Sequence, residues 1–399
     1  MLFSLYQLCN IIASEEKQME INILAATSPY RLNVKNEFNK LSGEFAGICY
    51  MSGTLQEIIA QPLEKKLARA QKAKENGHHS IFDHECITLY LKDVPKLFAM
   101  LLNNEKVYAS SEKSARYTQM EADGIDYVMY TKWQKILEDL IQMKYGANPF
   151  FTQKKIQKLA QENARYFLSV FTNTSLAYTT TYRQLSYLYG WLKDIQNHPS
   201  ALIQKLKPTA DQFCKYLEIN NFVDKTISQG SKQSGFSLIA DKDKQDYYGD
   251  VYCTHYFGSL AQFAQVQRHR SLSLQFKEMT TTSFYVPKIL QDEPELKNQW
   301  LSDMFKIKDL TPQGMIVQIF ERGTPEALVM KIKDRLCTNA QLEICQQTKK
   351  TLQTYIEQTK DQQIKDMLMQ YNNGARCKSG FDCKSPCGFA DGINLNRNI

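Results

Sequence analysis

No stretch of this chain is apolar for long enough to cross a bilayer. Spanning takes ~20 consecutive apolar residues, and no run in the 399 residues approaches that length. The opening MLFSLYQLCNIIASEEKQ also lacks the positive n-region and small-residue cleavage site of a secretory signal. A cytoplasmic protein with no membrane partner is therefore expected. An excess of charge of one sign is nearly missing too. The 49 Lys and Arg stand against 42 Asp and Glu, a formal +7. That is too dilute for the concentrated footprint of a nucleic-acid binder, yet compatible with anionic ligands. There is no CxxC pair and no HExxH, so neither strong zinc spacing is present. Ten cysteines scattered through a chain with no secretion signal read as reduced thiols, not a disulfide framework. What remains is a balance of 43% hydrophobic and 23% charged residues. It excludes disorder, collagen and coiled coil and, at this length, allows two or three domains.

Met19 opens EINILAAT, the alternation of a strand. Residues 1–18 before it are either a short helix or the mark of an upstream start. Residues 60–77 read as a basic amphipathic helix with a solvated face, stopped by Gly77. Residues 85–103 mix β-branched and helical signals and end in a core helix around VPKLFAMLL, while 153–166 and 182–196 are helical by period. The polar stretch TISQGSKQSG at 226–235 is the expected linker. The parts on either side share a weak internal similarity. LLNNEK at 101–106 is placed like AQVQRHR at 264–270, 164 residues on, and ARYFLSVFTNTSLAYTTTYRQL at 164–185 like KDLTPQGMIVQIFERGTPEAL at 308–328, at an offset near 143. A duplication is the expectation.

Four of the six histidines fall in two places, GHHSIFDH at 77–84 and Arg268-His269-Arg270. The first leaves three readings open: a zinc site lacking a third convergent ligand, a hydrogen-bonding patch for a polar cofactor, or histidines satisfied in a core. The second sets two planar guanidinium forks beside an imidazole, a group suited to phosphate or pyrophosphate, although a basic triplet alone is usually surface. Cys377, Cys383 and Cys387, spaced C-x5-C-x3-C, read as a reduced tail rather than a zinc site. No metal is expected.

Together these segments resemble the flavin-dependent thymidylate synthase family, whose pattern is GHxSxxEH followed by RHRxxSxNExSxRY. The first half carries GHHSIFDH and, at 111–117, SEKSARY, but Asn104-Glu105-Lys106 occupies the RHR position. The second half has Gln265 to Arg270 as QVQRHR, but reads EMTTT from Glu278 to Thr282 where SxRY should follow. ARYFLSVFTNTSLAYTTTYRQL is similar to the family segment running from its phosphate arginine to its flavin-contacting NxR, with Thr181 where Asn is usual. DRLCTNAQLEI looks like the family's LRxxxxAQxEI. Asp83 stands for the usual glutamate, Ser111 for an asparagine, and Asn339 for a residue often His.

The resemblance implies an α+β fold of two tandem units, each a sheet with packed helices. The parts would be an extension at 1–18, a first unit at 19–225, a linker at 226–235, a second unit at 236–370 and a Cys-containing tail at 371–399. It implies a methyltransferase that converts dUMP to dTMP with methylenetetrahydrofolate and NADPH as co-substrates through FAD. The alternatives are a flavoenzyme acting on another pyrimidine nucleotide, or a silent nucleotide- or flavin-binding subunit. Arg335 takes the activating, catalytic position. Gln265, Arg268, Glu112, Ser114, Arg116 and Arg165 take the substrate-binding positions. His78, Ser80, Arg268, His269, Arg270 and Arg183 take the flavin positions. Each half has lost what the other kept, so one complete site would form from both. Asn104, Leu192, Thr280 and Lys308 would build a dead counterpart. In the family the enzyme is a homotetramer, so a homodimer imitating it is implied.

Overall fold

The computed structural model describes residues 19–27, 34–120, 123–231, 233–381 and 397–399. The fold is α+β, as expected: two four-stranded antiparallel sheets, each packed by helices. The first sheet joins β1 (Glu20–Ala26), β2 (Cys86–Pro95), β3 (Tyr108–Glu112) and β4 (Asn173–Thr181) in the order β1-β2-β4-β3. Along β2, Ile87, Leu89 and Leu91 are fully buried and the residues between them are not, the period of two that a strand imposes on a one-sided core. Register follows from that face, with Leu89 opposite Tyr178 and Ser110 opposite the same tyrosine on its other side. The second sheet joins β5 (Tyr247–Tyr248), β6 (Tyr252–Ser259), β7 (Ser273–Lys277) and β8 (Ile316–Gly323) in the order β5-β6-β8-β7.

Three strand-to-helix junctions use the same device. Thr181 ends β4 and accepts a hydrogen bond from the Gln184 amide, starting the helix Tyr182–Lys193. Ser259 ends β6 and caps Leu260–Val266 through the Gln262 amide. Thr324 follows β8 and caps Pro325–Arg335 through Ala327, with proline at the first turn, where its missing N–H costs nothing.

The chain divides into two compact units whose membership does not follow sequence order. One comprises Met1–Ala99, Glu105–Lys113 and Asn173–Phe236; the other Met100–Asn104, Ser114–Thr172 and Ser237–Ile399. In the first, Phe38 packs on Tyr182 at 4.9 Å between ring centroids and Phe98 on Phe213 at 5.6 Å. In the second, Trp133 of the helix Ile125–Tyr145 and Trp300 of the helix Pro294–Lys306 meet at 4.9 Å, with Phe167 4.6 Å from Trp300. Helices from before position 173 thus share a core with helices from after 237.

The basic helix expected at 60–77 runs Leu63–Glu75, and Gly77 has the positive φ of 70° that ends it. The stretch 226–235, expected as a linker, begins inside a helix, Lys225–Gln229. The Asp224 carboxylate accepts from the Thr226 and Ile227 amides, and Ile227 is fully buried. A cap and one apolar anchor outweigh the turn-like composition that follows. No helix among the described residues is long and apolar enough to cross a membrane. Residues 1–18, Cys383 and Cys387 lie outside the described residues.

Candidate functional site

The second unit gathers guanidinium groups from both halves of the sequence. Arg165 stands just past the helix Gln153–Ala164, and Arg335 is the last residue of Pro325–Arg335. Both occupy helix C-terminal ends, where the backbone dipole favours a cation. Gln265 lies in the last turn of Leu260–Val266, and Arg116 is in the loop after β3.

A glutamine ties these positions together. Gln341, at the cap of the helix Leu342–Gln358, accepts through Oε1 from both Arg165 Nη2 and Gln265 Nε2. Its Nε2 donates to the Tyr166 hydroxyl at 2.7 Å and the Glu162 carbonyl at 3.4 Å. Tyr166 in turn donates to Glu343 at 2.7 Å, and Glu343 also accepts from the Ser259 amide (2.8 Å) and hydroxyl (2.6 Å). Burial holds the Glu343 carboxyl above its usual range. Arg116 donates from Nε to Glu162 at 2.8 Å and from Nη2 to the Asn339 carbonyl at 2.7 Å. Arg335 donates from Nε to His269 Nε2 at 2.8 Å and from Nη2 to the Gln265 carbonyl at 3.1 Å.

Charge in this cluster is unevenly met. Arg116 has a carboxylate partner. Arg165 is only 6% exposed, makes no ion pair among the described residues, and keeps its Nε without a hydrogen-bond partner. Burial, with Arg116 nearby, pushes its guanidinium below the usual range. Arg335 is lowered likewise by burial, and by Arg116 and Arg268. Gln265 is 7% exposed with an unpartnered Oε1. A buried cation that meets only an amide oxygen is costly. The arrangement can accept an anion, with an orphan donor and an orphan acceptor beside it.

Not every expected residue is in this cluster. Ser114 is in the same unit, its hydroxyl accepting from the Arg116 amide at 3.4 Å. Glu112 ends β3 in the other unit and is paired with Lys96 at 2.6 Å. Arg268 and Arg270 are exposed, whereas His269 is buried and turned to Arg335. In the first unit, Arg183 is bound to Asp83 at 2.5 Å and to the Tyr187 hydroxyl at 2.8 Å. His78 Nδ1 is 2.5 Å from the Tyr50 hydroxyl, and Ser80 is exposed. His79, which the sequence left between three readings, is a core histidine 3.3 Å from the Lys74 carbonyl; His84 stacks on Phe45 at 4.0 Å. Of the counterpart residues, Asn104 is consumed by Ser237, Leu274 and Gln267, Leu192 is fully buried, and Thr280 and Lys308 are exposed. No three His, Cys, Asp or Glu among the described residues converge as a metal set. Glu162, Gln341 and Glu343 were not singled out from sequence, although the AQLEI motif contains two of them.

Residues 32–197 match the family model described as thymidylate synthase complementing protein. Over that stretch the chain is similar to this family. Similar curated proteins are flavin-dependent thymidylate synthases of Pyrococcus furiosus and Thermococcus onnurineus. The first is 21% identical over 149 residues, 34% of this chain and 57% of the relative. The second is 21% identical over 126 residues, 29% of this chain and 49% of the relative. The chain thus spans about half the length of the curated relatives it matches. Similar solved structures include a UMP/dUMP methylase from Streptomyces cacaoi bound with 5-Br dUMP, at 12% identity and a TM-score of 0.33 over 53% of this chain and 94% of that one. Another is thymidylate synthase X from Helicobacter pylori with FAD and dUMP, at 16% identity and a TM-score of 0.29 over 49% and 96%. The family match ends at 197 and does not reach Gln265, Arg268 or Arg335.

Proposed function

We propose that this protein is a flavin-dependent thymidylate synthase, converting dUMP to dTMP with methylenetetrahydrofolate and NADPH through FAD, with its nucleotide site in the second unit. The observation that carries this reading is the buried, unpaired guanidinium of Arg165 beside Arg116, Arg335 and the unpartnered Gln265 oxygen. A nucleotide phosphate is a dianion, and charge-assisted hydrogen bonds from Arg165, Arg116 and Arg268 would neutralise it. Arg335 would face the pyrimidine ring and stabilise negative charge as the N3 and O2 region becomes electron-rich, which makes C5 nucleophilic.

The donor set suits an anionic dinucleotide in the second unit, where Arg268 and Arg270 are exposed. When bound, FAD supplies the hydride and one-carbon transfer. His78, Ser80 and Arg183 of the first unit keep a flavin role by resemblance alone, since Arg183 is neutralised by Asp83 and His78 is bonded to Tyr50.

The domain reading belongs to the same proposal: two copies of one ancestral unit at 19–225 and 236–370, chains pairing as homodimers. The shared order β1-β2-β4-β3 and β5-β6-β8-β7 supports it, as does the 143-residue step from the start of β4 to that of β8. The test is reconstitution of the purified full chain with FAD. About one flavin per chain, NADPH-dependent bleaching, and dTMP formed only with methylenetetrahydrofolate and dUMP are the expected outcome. Methylation of another pyrimidine nucleotide instead, or nucleotide binding without turnover, would replace this reading with a related flavoenzyme or a silent subunit.

A further inference from the structure

Arg335 is held from two sides, and one of them is unexpected. Its Nε–H points to His269 Nε2 at 2.8 Å and one Nη2–H to the Gln265 carbonyl at 3.1 Å, so the Nη1 edge makes no hydrogen bond among the described residues. The backbone beneath is pinned as well. Lys331, one turn earlier on Pro325–Arg335, donates to both oxygens of Glu321 on β8 at 2.8 and 2.7 Å. The same carboxylate accepts from Tyr252 at 2.6 Å and Tyr256 at 2.8 Å on β6. This buried network is saturated and fixes the helix to the sheet. Only the rotation of the Arg335 side chain is left to set.

Family resemblance gives His269 to the flavin, but its side chain is 7% exposed. One ring nitrogen meets Arg335, and the other faces Asp334 at 3.9 Å. We propose that His269 is a positioning residue, a neutral imidazole whose Nε2 lone pair fixes the Arg335 guanidinium so that its Nη1 edge is presented to the pyrimidine ring. The inference rests on the nucleotide site proposed above.

The charges around the imidazole agree. Arg335, Lys331 and Arg268 surround it, against the largely exposed Asp334 carboxylate. Burial and these cations push His269 down to about 3, so it accepts a hydrogen bond throughout the physiological range. Acceptance at Nε2 places the remaining proton on Nδ1.

The experiment has two readouts on the full chain. First, 15N spectra of histidine-labelled protein without nucleotide should show one imidazole with a proton-free Nε2 and a protonated Nδ1, unchanged from neutral pH down to pH 5. A His269 signal of the opposite tautomer, or one titrating near 6.5, overturns the proposal whether or not dUMP binds. Second, dUMP affinity is measured by calorimetry. His269→Asn, too short to reach, should weaken it about tenfold, the loss of one hydrogen bond to a charged group. His269→Gln, which keeps an acceptor near Nε2, should restore most of it. Adding His269→Asn to Arg335→Ala should cost nothing further, and bound FAD per chain should not change. Loss of FAD with dUMP affinity intact, or additive effects in the double variant, overturns the positioning role. A wild-type chain that binds no dUMP, yet gives the expected spectrum, sinks the nucleotide-site reading and leaves the His269 contact standing.

Discussion

The two units carry sheets of the same strand order, yet two arginines of the second are treated unlike the charges of the first. In the first, buried and half-buried charges are met. Lys74 pairs with Asp224 at 2.7 Å, Lys96 with Glu112 at 2.6 Å and Arg183 with Asp83 at 2.5 Å. In the second, Lys331 is matched by Glu321 and Arg116 by Glu162, but buried Arg165 and half-buried Arg335 hydrogen-bond only amide, carbonyl and imidazole groups. A charge matched in place costs little and stabilises little, whereas one left unmatched is maintained against its desolvation cost. On that asymmetry rests the proposal of a nucleotide site in the second unit.

The largest effect should come where the comparison is sharpest. Arg335→Ala should lower kcat by about 100- to 1,000-fold, the scale on which a preorganised donor at developing negative charge acts. Arg183→Ala should cost far less, since its half-exposed pair with Asp83 is of a kind worth about 1 kcal/mol or less. Steady-state kinetics on the FAD-loaded chain compares them. Equal losses would end the claim that the units differ in function.

Next in size is a stability effect confined to the first unit. By the resemblance Leu192 falls where the family carries its activating arginine, which invites an alanine substitution as a harmless control. It is not one. The side chain is fully buried on the helix Tyr182–Lys193, and Leu192→Ala should destabilise the protein by about 2–5 kcal/mol. Chemical denaturation measures the loss; turnover per folded molecule should be unchanged. A fall in kcat at constant stability would mean that the first unit holds a working site.

How far the sequence reached is clear from individual residues. Arg116, Arg165, Gln265 and Arg335 were legible because each sits in a short motif with a local spacing, and the fold brings all of them into one unit. The α+β class was legible from strand alternation and capped helices. The exchange of 114–172 into the unit formed by 237–399 was not, because a linear reading assigns neighbours in sequence to the same core. Glu162 was invisible for a related reason: its only signal is a partner 46 residues away. Gln341 and Glu343 lay in plain view in AQLEI, but a motif does not say that one amide will bridge Arg165 to Gln265. The resemblance gives His269 to the flavin, and what no motif could show is that its ring is buried with Nε2 2.8 Å from Arg335.

Arg165→Met tests the unmatched charge itself. Removing a buried guanidinium that lacks a carboxylate, while keeping most of its apolar length, relieves a desolvation cost. The free protein should gain about 1–2 kcal/mol of stability while dUMP binding weakens at least about tenfold. Thermal melts without and with nucleotide would display both signs, and a variant destabilised in both conditions would show that Arg165 is a structural residue.

The smallest effect closes the comparison. In the proposed duplication Lys308 takes the place of Arg165, but it lies exposed in the short turn Lys308–Leu310, after the helix Pro294–Lys306. A surface ammonium keeps its hydration, so deleting it costs neither desolvation energy nor a bound partner. Lys308→Ala should therefore change dUMP affinity and kcat by less than about twofold and stability by less than about 0.5 kcal/mol. Measured beside Arg165→Met, it separates two explanations of a phosphate site. If position in the proposed repeat mattered, both substitutions would weaken binding. If burial without a counter-charge is what binds the anion, only Arg165 responds.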